Sequence, residues 1–193
     1  TASETVVWEA INQLDQSVQS VRLPKLMAGD TWLGQNTNAD QETEVVDTLQ
    51  NMAGGTATIF QRMNASGDLL RVATNVKKLD NTRAIGTYIP AVNADGSANA
   101  VVAAVLNGQT YHGVAFVVNA WYITAYEPIY NQNQEVIGAL YVGVKQENLS
   151  TLRDAIMNIQ VGKSGYVFVL GGQGDDRGHY IISKDGERDG ENI

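Results

Sequence analysis

No cysteine occurs among the 193 residues, which excludes disulfides, cysteine nucleophiles and thiolate metal sites. Histidine is nearly as scarce: His112 and His179 are the only two, and neither falls in an H-x-x-x-H or H-E-x-x-H arrangement that would bring two imidazoles to one metal. Cations are also short. Thirteen Lys and Arg stand against 21 Asp and Glu, a net charge of -8. Nucleic acid and anionic membrane surfaces repel such a chain, and any anionic ligand must be held by a local group of cations. There is no signal-peptide pattern and no apolar run of about 18 residues that would span a bilayer. No G-x-S-x-G elbow is found, and the serines lack an acid–base partner, so no nucleophilic site is expected. An acidic pair near Glu127 is the sole support for an enzyme, and Glu127-Pro128 reads as a strand bend instead. No metal and no cofactor is expected.

What remains is an ordinary globular composition, 44% hydrophobic and 18% charged. Its densest part runs from Tyr111 to Glu147. This stretch reads as two long β-strands, Val114 to Tyr130 and Val136 to Lys145, joined by the polar turn Asn131 to Gln134, at the centre of an antiparallel sheet. The second strand alternates strictly. Val136, Gly138, Leu140, Val142 and Val144 form an apolar face that must be covered, while Ile137, Ala139, Tyr141, Gly143 and Lys145 form a mixed face suited to a small polar ligand.

Ahead of this lies a 4-3-4-3 spacing of Val7, Ile11, Leu14, Val18 and Val21, which predicts a long helix from Ser3 to about Arg22, ended by Pro24. Its stripe either packs on the sheet or pairs with a second copy of itself. Leu26 to Gln41 reads as an irregular connection, and Glu42 to Met52 as a short helix with Val45, Val46, Leu49 and Met52 inward. Thr56 to Met63 and Leu69 to Val76 form a hairpin, taken as the sheet's first two strands. Thr82 to Pro90 is extended, Asn93 to Asn99 a turn, and Ala100 to Leu106 a short helix. A helix at Leu149 to Ile159 is followed by strands at Gly165 to Leu170 and His179 to Ser183, so the pattern starts afresh. These features divide the chain into an N-terminal helical segment (1–53), a sheet module (54–148), and a connecting helix with a partial second module (149–193). The opening at Thr1 inside a helical pattern, and the ending at Ile193 soon after the restart, suggest a piece of something larger.

Two motifs have plainer readings. Gly171 to Gly178 resembles a phosphate loop, but a strand rather than a helix N-terminus follows, so it is a hairpin loop. Asp185, Glu187, Asp189 and Glu191 have no twelfth-position ligand of a calcium hand and form an acidic turn.

The cluster that carries chemistry is aromatic and cationic: Arg62, Arg71, Tyr88, Tyr111, Trp121, Tyr122, Tyr126, Tyr141 and Lys145. One reading packs the phenols with their hydroxyls at a rim and leaves the cations solvated. The other is a pocket in which Arg71 or Lys145 binds a carboxylate and the aromatics shape the rest. Gly143 would then leave room for a ligand to approach the strand.

The segments ATIFQRM, DLLRVATNV, TRAIGTYIP, LNGQTYHGVAF and VVNAWYITAYEPIYNQNQEVIGALYVGVKQE resemble, in order, bacterial Cache domains of the type in which one PAS-like module is fused to a second. VGKSGYVFVLGGQGDDRGHYIISKDGERDGENI resembles the opening of the second. The resemblance covers roughly residues 50 to 193. It implies an α+β fold, a PAS-like antiparallel sheet with a pocket on one face and a long N-terminal helix. It also implies an extracytoplasmic, periplasmic domain of a membrane-anchored receptor, most often a methyl-accepting chemotaxis receptor and sometimes a histidine kinase or cyclase. The implied ligands are small carboxylates or amino acids, with Arg71, Tyr88, Tyr111, Trp121, Tyr122, Tyr126, Tyr141 and Lys145 as candidate contacts. A homodimer through the N-terminal helix is possible on this pattern. Val114 stands after Gly113 where the pattern has a basic residue, which puts one cationic contact in doubt. The competing expectation is a structural, dimerising or protein-interaction module that holds no ligand.

Overall fold

A computed structural model describes residues 4–117, 120–172 and 177–193, with backbone alone for Ala53, Ala115, Phe116, Ala120, Trp121 and residues 146–151. Residues 4–24 form no helix. They make an antiparallel hairpin of β1 (Thr5–Asn12) and β2 (Val18–Pro24), with Trp8 opposite Val21 and Val6 opposite Leu23. Two side chains build the turn. Asn12 Oδ1 accepts from Leu14 N at 2.9 Å, and Asp15 Oδ1 accepts from Ser17 N at 2.9 Å and Ser17 Oγ at 2.6 Å, while Gln16 adopts a left-handed φ of 62°. Such local bonds compete with helix and win here, aided by β-branched residues on both sides. The inward set is Val6, Trp8, Ala10, Val21 and Leu23, at period two. Val7, Leu14 and Val18 of the supposed helical stripe are exposed.

A short hairpin of β3 (Met27–Ala28) and β4 (Thr31–Trp32) leads to α1 (Glu44–Ala53), which ends at Gly54 with φ 70°. Val46 of α1 is buried, whereas Met52, expected inward, is 80% exposed. The chain continues through β5 (Thr56–Arg62), β6 (Leu69–Thr74) and β7 (Thr87–Ile89) to α2 (Ala100–Leu106). Asn99 caps α2, its side chain accepting from Val101 N at 3.1 Å and Val102 N at 3.3 Å, a contact worth about 1 kcal/mol.

The stretch read as one strand from Val114 is two: β8 (Tyr111–Val117) and β9 (Ala120–Tyr130), paired antiparallel with Val117 opposite Ala120. Val118 and Asn119 lie outside the described residues. With β10 (Val136–Lys145) they complete an eight-stranded sheet ordered β2-β1-β7-β6-β5-β10-β9-β8. Every pairing is antiparallel except β1 with β7, which is parallel. β10 is interior and β8 is an edge, so the Tyr111 to Glu147 stretch fills one side of the sheet rather than its centre. The α1 face packs Trp8, Leu23, Leu33, Val46, Ile59 and Val72; the α2 face packs Phe60, Val102, Val105, Tyr122, Tyr126 and Tyr141.

The chain divides into two compact units, Thr1–Lys145 and Gln146–Ile193. The second contains α3 (Gln146–Met157), β11 (Gln160–Val161), β12 (Gly165–Tyr166), β13 (Val169–Leu170) and β14 (Tyr180–Ile182). Arg153 of α3 donates to Ile181 O at 3.0 Å and pairs with Asp189, which also accepts from Ser183 N and Oγ at 2.8 Å. β13 and β14 pair antiparallel, so the glycine-rich loop joins two strands. Among the described residues no helix is long and apolar enough to cross a membrane.

Candidate functional site

The α2 face of the sheet holds a buried cation. On β6, Leu69 and Arg71 point to that face by the ordinary alternation of a strand. A bulge follows: Phe60 pairs with Arg71 but Ile59 with Ala73, so Val72 is extra. The bulge resets the alternation, sending Ala73 to the α1 face and Thr74 to the α2 face opposite Thr58. Thr58 Oγ1 and Thr74 Oγ1 are 2.6 Å apart in a buried hydrogen bond.

Arg71 is 1% exposed. Its Nη1 donates to Thr87 Oγ1, whose own proton goes to Ala84 O at 2.8 Å. Nε is buried with no partner, and the guanidinium lies 4.9 Å from the centre of the Phe60 ring. Among the described residues no Asp or Glu pairs with it, and none is buried. Burial therefore pushes the Arg71 guanidinium below its ordinary pKa, an effect that the neighbouring Tyr126 and Tyr141 offset only in part. Guanidinium does not shed its proton in proteins, so the penalty is carried as a buried, uncompensated charge.

Around it stands a set of rings. Tyr126 is opposite Tyr141 in the β9–β10 register, with ring centres 5.0 Å apart. Phe60 and Tyr111 each lie 6.0 Å from Tyr126, the latter edge-on. Tyr141 hydroxyl and Thr56 Oγ1 share a hydrogen bond of 3.0 Å. Burial raises the pKa of both central phenols, Tyr141 to about 12 and Tyr126 further, so both are neutral donors at neutral pH.

Of the residues read from sequence, Arg71, Tyr111, Tyr122, Tyr126 and Tyr141 meet on this face. Lys145 ends β10 on the same face, half-buried and opposite Tyr122. Tyr88 lies in the opposite cluster, beside Trp8, and its hydroxyl bonds Gln19 Nε2 at 3.1 Å. Arg62 closes its own turn by donating to Asn64 O and Ala65 O. The Trp121 side chain lies outside the described residues.

Both faces of β10 are covered in part: Leu140 packs against the α1-side core as expected, but the mixed face is the more deeply buried one. Ala139 and Tyr141 are wholly buried, whereas Val142 and Val144 are 42% and 40% exposed. Nor does Gly143 leave open space. A Cβ there would meet Cζ of Tyr141 at 2.7 Å, because the phenol lies back over the glycine, and Gly113 is covered by Tyr111 in the same way. Each Tyr-x-Gly pair shields a bare strand position with its own ring.

Sequence reading missed Phe60 and the threonines Thr56, Thr58, Thr74, Thr87 and Thr124. Threonine is an ordinary strand former and gave no signal singly. The usable sign was their recurrence with Phe60 at period two on β5. The described residues contain no group of acidic and histidine side chains that would hold a metal.

The family model of the Cache 3/Cache 2 fusion domain matches residues 2–193. Comparison with curated proteins and with solved structures returns no match.

Proposed function

The chain belongs to the Cache 3/Cache 2 fusion-domain family, and from that premise we propose that its Arg71 site receives a small anionic ligand, a carboxylate, for a transmembrane signalling receptor. Cache domains are extracellular ligand-binding sensor domains. The single observation that carries the finer reading is the buried guanidinium of Arg71 without a carboxylate partner. A bound carboxylate supplies the missing charge and accepts the free N–H groups in a charge-assisted geometry. Tyr111, Tyr122, Tyr126 and Tyr141 in this reading surround the ligand, with Lys145 at the end of β10 on the same face. In this reading the domain is periplasmic, belongs to a membrane-anchored chemotaxis receptor or related sensor, and binds without turnover.

Signalling requires unequal affinity for two arrangements of the domain, since a ligand that binds both equally shifts nothing. Among the described residues no helix precedes Glu44, and any signal path or dimer contact within residues 4–24 runs through the β1–β2 hairpin.

A thermal-shift screen of the protein against mono- and dicarboxylates, amino acids and purines tests the reading. Ligand at 100 times its Kd adds about 2.7 kcal/mol, a rise of several degrees for a domain of this size. Silence across every class removes the sensor reading of this site.

A second reading rests on the other face. Val114, Ile123, Val142 and Val144 are exposed together on β8, β9 and β10, beside a cavity of about 380 Å³ that Leu49 of α1 also lines. A contiguous apolar strip of this kind suits contact with another protein surface.

A further inference from the structure

Resting on the sensor reading above, the charges around Arg71 point to a narrower ligand class: we propose that the site takes a short organic anion of single charge with no ammonium group, and discriminates against amino acids and dicarboxylates. One cation lies at its base. Among the described residues Arg71 has one hydrogen bond, to Thr87, and a buried Nε with no partner. A single carboxylate matches that charge and those donors, and leaves nothing over.

An amino acid brings a cation as well. Its ammonium would need a carboxylate or several free carbonyls, and the described residues place no buried Asp or Glu on either face of the sheet. The threonine hydroxyls on this face, and that of Tyr141, are neutral and engaged. Thr56 bonds Tyr141, Thr58 bonds Thr74, Thr87 donates to Ala84 O, and Thr124 donates to Gly113 O at 3.0 Å. Placing an unpaired ammonium beside the Arg71 guanidinium costs both desolvation and like-charge repulsion. Recognition by omission of a counter-charge is the repulsive half of specificity.

A second carboxylate fares little better. The next cation along the face is Lys145, half-buried at the end of β10 opposite Tyr122 and already in contact with other groups. A dianion would leave its second charge among Phe60, Val102 and the phenol rings. The body of the ligand is therefore uncharged, and lies against aromatic and aliphatic carbon.

Four probes that differ by one group decide it: propionate, propionamide, L-alanine and succinate, titrated against the wild-type protein and Arg71→Met by calorimetry and thermal shift. Propionate is expected to bind wild type, with propionamide, alanine and succinate at least tenfold weaker. Arg71→Met is expected to lose the propionate response while melting at or above the wild-type temperature. Equal or tighter binding of alanine or succinate, lost in Arg71→Met, overturns the charge rule while leaving a ligand site at Arg71. An undiminished propionate response in Arg71→Met overturns the assignment to this site. Silence of all four overturns the proposal, and the sensor reading falls with it if the broader screen is silent too. Should Arg71→Met not fold, the ultraviolet difference spectrum of wild-type tyrosines substitutes. Propionate beside Tyr126 and Tyr141 changes it, and a flat spectrum under a full thermal shift places the anion elsewhere and overturns the proposal.

Discussion

Arg83 grips Asp47 with two parallel hydrogen bonds, Nη1 to Oδ1 at 3.0 Å and Nη2 to Oδ2 at 2.7 Å. Its other donors reach Asn38 O, Thr74 O and Gln41 O, so this buried guanidinium has every N–H engaged. Arg71, near it in sequence and as deeply buried, has among the described residues only the bond to Thr87. The two sites share Thr74, whose carbonyl serves Arg83 and whose hydroxyl faces Thr58 on the Arg71 side. One arginine is a finished structural clamp between α1, the preceding loop and the sheet. The other is unfinished, and the difference between them separates a structural role from a binding one.

Breaking the clamp exposes its worth. Asp47→Asn leaves the buried Arg83 without its half-buried counter-charge, and because removal of one partner of a fully buried pair costs about 3–5 kcal/mol, a loss toward the lower end of that range follows. A fall of that size in urea stability is expected, with little change at the Arg71 site.

Acid should act through the same pair. Burial raises the Asp47 pKa, but hydrogen bonds from Arg83 and from Thr43 N, together with the Arg83 charge, outweigh it, and the native carboxyl sits below its ordinary value. Native protein then holds fewer protons on Asp47 than unfolded chain does. The contribution is complete above the unfolded pKa of about 4 and is lost as pH falls through the depressed native value. Asp47→Asn should therefore flatten the acid limb of the stability profile, and an unaltered limb would assign acid sensitivity to other carboxylates.

Alkali tests the ring cluster. The protein has eight tyrosines, of which Tyr126 and Tyr141 hold their protons well above the usual phenol range because they are buried. With raised native values, their contribution is complete below the unfolded pKa of about 10 and fades as pH rises through the native ones. Phenolate absorbance at about pH 11 should fall short of that of unfolded chain. Tyr141→Phe loses the Thr56 hydrogen bond, about 1 kcal/mol, and should reduce the shortfall.

The exposed valines test the second reading. Val142→Ser with Val144→Ser should leave stability within about 0.5 kcal/mol, as surface changes do. If that face binds another copy of the chain, the double variant is monomeric by light scattering where wild type is not.

Much of this was legible in the sequence, and the failures have a physical pattern. The β5–β6 hairpin, α1, α2 and the alternation of β10 from Gly138 to Lys145 follow from local signals. The N-terminal stripe misled because a 4-3-4-3 spacing ignores the Asn12, Asp15 and Ser17 bonds that close a turn. Tyr111, Tyr126 and Tyr141 came together as expected because alternation fixes their face once the register is set. Which face would be covered was not written in β10 itself. It depends on where α2 docks, as the environment of Arg71 depends on a bulge with no composition signature.

Gly143 offers the sharpest choice between two uses of a bare strand position. If it makes room for a ligand, Gly143→Ala leaves stability alone and abolishes binding. The geometry predicts the opposite order of events, since the new Cβ runs into the Tyr141 ring and must displace it from Thr56. Overpacking of this kind costs about 1–3 kcal/mol. The loss should vanish in a Tyr141→Ala background, where the ring is gone, giving a coupling in the double-mutant cycle close to the whole effect. Additive losses would mean that the strand itself, rather than the ring, rejects a side chain at that position.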